Sequence, residues 1–407
     1  MTSTNADQAR ASGKIDGHAL RLIAVLAFVG ALGPFAIDTY LPALPAMAEA
    51  LPATATLMKW TVSAYLLGIA VFPLFLSPLA DALGRLPVLY GALIAFAVIS
   101  AGCALAPDIE SFGALRFLQA AAGGTAMTAT RAIMADLYKG DALSRATSIL
   151  MLIFTAAPVV APLWGAWMLE IGDWRWIFWS LSLVGVAALV LGMALPETLT
   201  VEKKRPYKIA QVIRNYVEIA KNNTARRYLL ASFASSFMFF AMLAGSPFIF
   251  IEHFDVSAVN FSIMFASISG AAFAANMLNA RLVMKRGYPQ MLRDTTKVLL
   301  VLAVFLSVIA ATGWWGMWGV FGVMVWLMGC YHVISANSTA GLMTELGNQA
   351  GAAAAVLALG RFVGGALGAW LIGAIGTSHP WSFAVILATA AIGMHLAMKI
   401  GSDGARA

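Results

Sequence analysis

The sequence predicts an all-α membrane protein of twelve transmembrane helices, arranged as two pseudo-symmetric six-helix bundles. Three observations predict it. The first is composition: 61% of the 407 residues are hydrophobic and 11% are charged, against about 25% charged in a soluble domain. Water would not tolerate so much apolar surface. A soluble enzyme, a nucleic-acid binder and a disordered chain are therefore excluded, and the lipid bilayer is the expected surrounding. The second is the count of apolar runs: twelve crossings of roughly 20 residues need about 240 apolar residues. The third is a single long polar break, at 196–227, with six runs on each side.

The runs fall at 20–44, 57–80, 87–106, 110–137, 143–170, 174–195, 228–251, 257–282, 295–312, 316–343, 350–376 and 379–399. They divide the chain into an N-terminal bundle (1–195), a linker (196–227) and a C-terminal bundle (228–407). Of 26 Lys and Arg, 21 fall on one side of the crossings. The opposite loops hold Lys59 and Arg175, and Arg116, Arg131 and Arg361 lie inside runs. The positive-inside rule puts both termini and the linker in the cytoplasm, so the formal charge of +7 is a topology signal. Within the linker, Ile209, Val212, Ile213, Tyr216, Val217 and Ala220 recur at helical spacing beside Lys208, Arg214 and Lys221, as in a helix lying on a membrane surface.

The halves echo one another. Gly84 and Pro87 follow the second run, and Gly287 and Pro289 follow the eighth. Gly165-Ala166-Trp167 in the fifth matches Gly368-Ala369-Trp370 in the eleventh, and the glycines share an offset of 203 residues. Duplicated halves with a site at their interface are a transporter architecture. Cys103 and Cys330 both lie in apolar runs, the five histidines have no ligand spacing, and no phosphate-binding GxxxxGK[ST] occurs. No metal, cofactor or ATP is expected, and no enzyme activity.

Four stretches carry a resemblance. Ser77-Pro78-Leu79-Ala80-Asp81-Ala82-Leu83-Gly84-Arg85 joins the second and third runs. Asp38-Thr39-Tyr40-Leu41-Pro42 closes the first. Arg116-Phe117-Leu118-Gln119 opens the fourth, which ends on Arg131-Ala132-Ile133 and Asp136. Ala157-Pro158-Val159-Val160-Ala161-Pro162-Leu163-Trp164-Gly165 lies in the fifth. Together they resemble the major facilitator superfamily, and within it the drug:proton antiporters of the bicyclomycin/chloramphenicol-resistance (Bcr/CflA) type. The match is looser in the second half, through Asn337-Ser338-Thr339-Ala340. The sequence departs from the pattern at Ser77, Ala82, Leu86, Ala120 and Ala161.

The resemblance implies that Asp81, Gly84 and Arg85, with Asp136, form a conformational switch that latches the halves in one state. Read physically, Ala157, Ala161 and Gly165 form a small-residue face for close helix contact, and Pro158 and Pro162 bend the helix. The same residues also suit packing alone. Asp38 is the one acidic residue deep in a run, and a carboxylate there is a functional hypothesis by default. Asp38 and Arg116 both lie roughly 10 Å below the outer surface, at 1.5 Å rise per residue. Two readings follow: a static ion pair, or a proton-binding Asp38 whose affinity Arg116 sets.

Arg131 suits snorkelling or function. Arg361, where the resembling family more often carries an uncharged polar residue, is expected to meet a backbone carbonyl, His332 or Asp38, or to disfavour cationic substrates. His332 reads as a core histidine or a proton carrier. Tyr40, Met127, Phe237, Phe240, Met242 and Tyr331 are candidates for the cavity wall, since aromatic and methionine surfaces adapt to varied amphipathic compounds.

The expected function is proton-coupled multidrug efflux of small amphipathic, drug-like compounds by a monomer of a bacterial-type inner membrane, with protons as the coupling ion. The rivals are an exporter or facilitator of one metabolite on the same fold and a non-transporting membrane sensor or scaffold.

Overall fold

The computed structural model describes residues 17–51, 54–199, 209–346, 349–376 and 379–400. Twelve long helices run through them: α1 (Gly17–Thr39), α2 (Ala55–Leu83), α3 (Arg85–Leu105), α4 (Ile109–Leu137), α5 (Gly140–Ile171), α6 (Arg175–Gly192), α7 (Asn223–Pro247), α8 (Ala258–Arg286), α9 (Tyr288–Thr312), α10 (Gly316–Glu345), α11 (Ala350–Ile375) and α12 (Trp381–Ile400). Eleven are long and apolar enough to cross a membrane. The other, α4, carries Arg116, Gln119, Arg131 and Asp136 among alanines and glycines. Its polar groups are affordable because the helix is wrapped by α1, α2 and α3. The chain is a multi-pass membrane protein.

Helix contacts show the duplication directly. In the first half α1 packs on α4, α5 and α6; α2 on α4; and α3 on α4 and α6. Six helices on, α7 packs on α10, α11 and α12; α8 on α10; and α9 on α10 and α12. The halves meet through α2 against α11 and, symmetrically, α8 against α5.

The repeated glycines explain themselves. Gly84 and Gly287 end α2 and α8 with φ of 130° and 74°, and each is also the N-cap of the next helix. A left-handed residue there reverses the chain in one step. A Cβ on Gly165 would run into the Thr39 carbonyl, and one on Gly368 into the Phe237 carbonyl, so α1–α5 and α7–α11 meet backbone to backbone.

Two expectations need correction. The first run is not one helix to 44: α1 ends at Thr39, Leu41–Ala43 forms a 3-10 turn around Pro42, and a short helix, Leu44–Ala50, follows. Each proline removes a backbone donor and resets the turn. Lys59 is no loop residue: it lies within α2, 1% exposed, with Nζ 4.3 Å from the centroid of the Phe248 ring. The linker helix forms at Ile209–Lys221. Ile219 is buried, but Ile213 and Val217 are exposed, so its apolar face is shared between protein and surroundings. Lys208 lies outside the described residues.

Candidate functional site

The helices define two ends. The linker side holds the α2–α3 turn and the linker helix; the far side holds the ends of α1, α7 and α11. The far side is closed between the halves. Trp60 of α2 stacks on Trp370 of α11 (6.4 Å, 19°) and donates its Nε1–H to the Trp370 carbonyl at 3.3 Å. Ser63 Oγ donates to the Ala366 carbonyl (2.9 Å), and Ser262 Oγ of α8 to the Pro162 carbonyl of α5 (3.0 Å). The linker side is hollow. Two contiguous chambers of about 500 and 410 Å³ lie among α2, α4, α11 and the linker helix. Their walls are mainly apolar, including Ile69, Met127, Leu359, Phe362 and Tyr216, and they hold the charges of Asp81, Arg85 and Arg131.

Arg116 sits near the closed end, fully buried. Its guanidinium lies 4.1 Å from the Tyr40 ring centroid, 4.2 Å from Tyr65 and 5.5 Å from Phe178. Nη2 donates to the Ala36 carbonyl (3.2 Å), and Nη1 to Gln119 Oε1; Gln119 in turn donates to Ser100 Oγ. Desolvated cation–π contacts contribute about 2 kcal/mol each, enough to offset the roughly 2.5 kcal/mol or more that an arginine costs at membrane depth. The Arg-x-x-Gln spacing is one helical turn, which brings acceptor and donor together.

Asp38 is buried, 6% exposed, two residues beyond the Ala36 carbonyl that Arg116 holds. Among the described residues it makes no ion pair and no hydrogen bond, so a static Asp38–Arg116 ion pair is absent from this conformation. Tyr65, beside Arg116, donates its own hydroxyl to the Gly33 carbonyl at 2.8 Å.

At the linker side, Arg85 pairs with Asp81 (2.5 Å) and Asp136 (3.2 Å). The sequence reading missed the rest of this cluster. Glu197, in the segment after α6, accepts the Arg85 and Leu86 backbone N–H groups at 3.1 and 2.9 Å, capping α3, together with its own neighbours Thr198 and Leu199. Thr198 Oγ1 donates to Asp136 at 3.0 Å. Burial pushes the Glu197 carboxyl up, but the N–H groups of Leu199, Leu86, Arg85 and Thr198 outweigh it and hold its pKa below the ordinary glutamate value. Pro196-Glu197-Thr198, an acid just past an apolar run, was the available signal.

The remaining candidates disperse. Met127 and Arg131 line the chambers. Tyr40 belongs to the Arg116 cage. Met242 faces a small separate void beside Met238, Phe239 and Met328. Phe237 and Phe240 pack on Gly368 and Gly365 of α11, and Tyr331 stacks on Phe239 at 4.2 Å. His332 Nδ1 lies 2.9 Å from the Met328 carbonyl. Arg361 meets neither His332 nor Asp38 by hydrogen bond; Nε donates to Ser232 Oγ (2.8 Å), and Nη2 to the Ser335 carbonyl (2.8 Å) and Thr339 Oγ1 (2.7 Å). Asn337 donates to Asn279 Oδ1 of α8 at 2.8 Å. Ala157 and Ala161 are buried on α5 beside Pro158 and Pro162.

This arrangement of two duplicated bundles around a one-sided cavity has known counterparts. The profile of the Major Facilitator Superfamily matches residues 26–369. The chain belongs to that superfamily of membrane transporters. It is 31% identical over 384 residues to the chloramphenicol resistance protein of Pseudomonas aeruginosa, covering 92% of this chain and 90% of that one. It is 29% identical over 351 residues to a bicyclomycin resistance protein homolog of Haemophilus influenzae, covering 85% and 87%. These relatives bear out the narrower resemblance. In fold it is similar to the inward open xylose transporter XylE from E. coli (TM-score 0.70, 14% identity, 92% of this chain and 95% of that one).

Proposed function

We propose that the chain is a proton-coupled efflux antiporter of a bacterial inner membrane. Both termini and the linker face the cytoplasm, where the charge asymmetry of the loops puts them. The protein works as a monomer, with bundles of 1–195 and 228–407 joined by the linker at 196–227. It exports small amphipathic compounds, as the names of its resistance relatives suggest.

One observation carries the coupling: the Asp38 carboxyl is buried near the closed end with no countercharge beside it among the described residues. A carboxyl at membrane depth is a functional hypothesis by default. In the proposed cycle Asp38 takes up a proton when the far side opens and releases it toward the linker side as substrate binds. Arg116 of α4, which holds the Ala36 carbonyl two residues before Asp38 on α1, sets how readily that proton leaves.

The halves rock about the α2–α11 and α5–α8 contacts. The far-side contacts through Trp60, Ser63 and Ser262 break as the linker side closes. Asp81, Arg85, Asp136, Thr198 and Glu197 all belong to the first half and its exit segment, so they form a rigid half-latch. Gly351, at the start of α11, lies across the chamber from them. Closure brings the α11 N-terminus to this cluster, where an acidic residue complements the helix dipole.

The test is transport itself. Proteoliposomes with an imposed pH gradient, screened against a compound panel, should show gradient-dependent accumulation of several amphipathic compounds. Transport of one compound only would favour a metabolite exporter; ligand binding without flux of any compound would contradict the proposal.

A further inference from the structure

One face of the linker helix, Ile209–Lys221, belongs to a chamber. Val212, Asn215 and Tyr216, three and four residues apart on one side of the helix, line the space of about 410 Å³. Ile219 continues that side and is buried, while Ile213 and Val217 on the other side are exposed, at 51% and 45%. The helix packs on α7 and α11 of the second half. The opposite wall comes from the first half, through Ser77 of α2 and Thr128 and Arg131 of α4. Asp81 lines that wall too and is engaged by Arg85.

An amphipathic helix that only tied the halves together would turn its apolar side inward and its polar side out. Here the sides are mixed. Asn215 and Tyr216 stand half-buried on the chamber side, and the apolar Ile213 and Val217 stand outside. Among the described residues neither the Asn215 amide nor the Tyr216 hydroxyl makes a hydrogen bond. An amide offers donors and an acceptor, and a phenol can do both. The rest of the wall is mainly apolar, with Ile69, Met127, Leu359 and Phe362. A few placed polar groups on an apolar wall are the makings of a small-molecule site.

We propose that the linker helix is one wall of the substrate site. The Asn215 amide and the Tyr216 hydroxyl bind the neutral hydrogen-bonding group of an amphipathic compound, an amide, sulfonamide or hydroxyl, and its apolar body lies against Met127, Leu359 and Phe362. Asn215 and Tyr216 are thus specificity-determining residues within the export reading, on which this inference rests. Because the helix packs on the second half and the opposite wall belongs to the first, a compound held between them touches both halves. The linker then selects the compound as well as joining the bundles.

The experiment uses two probes on one ring system: dansylamide, whose sulfonamide donates and accepts hydrogen bonds, and dimethylaminonaphthalene, which lacks that group. Binding to the purified full-length protein is read by fluorescence, and gradient-driven flux is read in proteoliposomes. Asn215→Leu and Tyr216→Phe should each lower the dansylamide-to-dimethylaminonaphthalene affinity ratio roughly fivefold, the size of one hydrogen bond between neutral groups. Val217→Ala, on the exposed side of the same helix, should leave the ratio unchanged. A second measurement reads contact directly. Maleimide labelling of Asn215→Cys should slow when dansylamide is present and labelling of Val217→Cys should not, with the native Cys103 and Cys330 buried. An unchanged ratio in either Asn215→Leu or Tyr216→Phe, labelling of Asn215→Cys indifferent to dansylamide, or no binding of dansylamide would overturn the linker wall, and gradient-driven flux of other compounds would then leave export standing. Shifted ratios and a protected cysteine without flux of any compound would uphold the wall and overturn export.

Discussion

Removing the Trp60 side chain should shift the protein toward a state open on the far side. Trp60 touches the second half through its stack on Trp370 and its hydrogen bond to the Trp370 carbonyl. Both contacts must be absent when the far ends of α2 and α11 separate, so they bias the equilibrium toward the linker-open form. An offset aromatic pair contributes about 1 kcal/mol beyond burial. A long, exposed hydrogen bond contributes about 0.5 kcal/mol. Their sum, about 1.5 kcal/mol, corresponds to roughly a tenfold change in the ratio of the two states. Spin labels on Glu110→Cys in the first half and Thr312→Cys in the second, both exposed on the far side, report the separation by pulsed dipolar spectroscopy. The native Cys103 and Cys330 are buried and stay out of the labelling. In Trp60→Ala a longer-distance population should grow by about tenfold relative to the short one, by the same arithmetic. Trp326→Ala, on a tryptophan 66% exposed and outside this contact, should leave the distribution unchanged. The same distances in Trp60→Ala as in the parent, or an equal shift in Trp326→Ala, would refute the reasoning.

Three other outcomes are expected. Gly165→Leu and Gly368→Leu should each reduce yield and thermal stability in detergent, because the facing carbonyls of Thr39 and Phe237 cannot make room; overpacking typically costs about 1–3 kcal/mol even where side chains can shift. Near-normal melting of both variants would show that these faces do not meet. Glu197→Gln should lower the melting temperature at neutral pH, since a neutral amide caps α3 less well. A depressed pKa means that the stabilisation is complete above the unfolded-state value and fades as pH falls through the folded-state one. The difference from wild type should therefore be flat between pH 6 and 8 and shrink only below about pH 4; a difference that changes between pH 6 and 8 would contradict the assignment. Arg85→Ala should slow transport with little change in substrate affinity, because its contacts are with Asp81 and Asp136 in the half-latch. A large loss of binding at normal turnover would place Arg85 in the substrate site instead.

The fold was legible because membrane crossings leave a one-dimensional signal. Apolar runs placed the twelve long helices, though not the short helix Leu44–Ala50, and the offset of 203 residues announced the duplication that Gly84, Gly287, Gly165 and Gly368 then performed in three dimensions. The prolines at 42 and 45 marked the broken end of α1, but hydropathy alone reads through them. Lys59 misled because a charged residue near a run's edge looks like a loop residue until the Phe248 ring covers it. The site was half legible. Asp38, Arg116 and the Asp81–Arg85–Asp136 set stand out as charges where charge is costly. Glu197 did not, since a carboxylate in a polar segment is unremarkable until the fold brings it to the backbone of α3. Cavity residues were the least legible: every membrane helix is rich in aromatics and methionine, so only three-dimensional packing separates Met127 at the chamber from Tyr40 around Arg116.

The most direct test of the central claim measures proton movement in proteoliposomes with a trapped pH-sensitive dye while a transported compound flows down its gradient. The wild-type protein should move protons against the compound, and Asp38→Asn, which keeps size and removes titration, should fold normally, bind the compound and move no protons. Full proton exchange in Asp38→Asn would contradict the account.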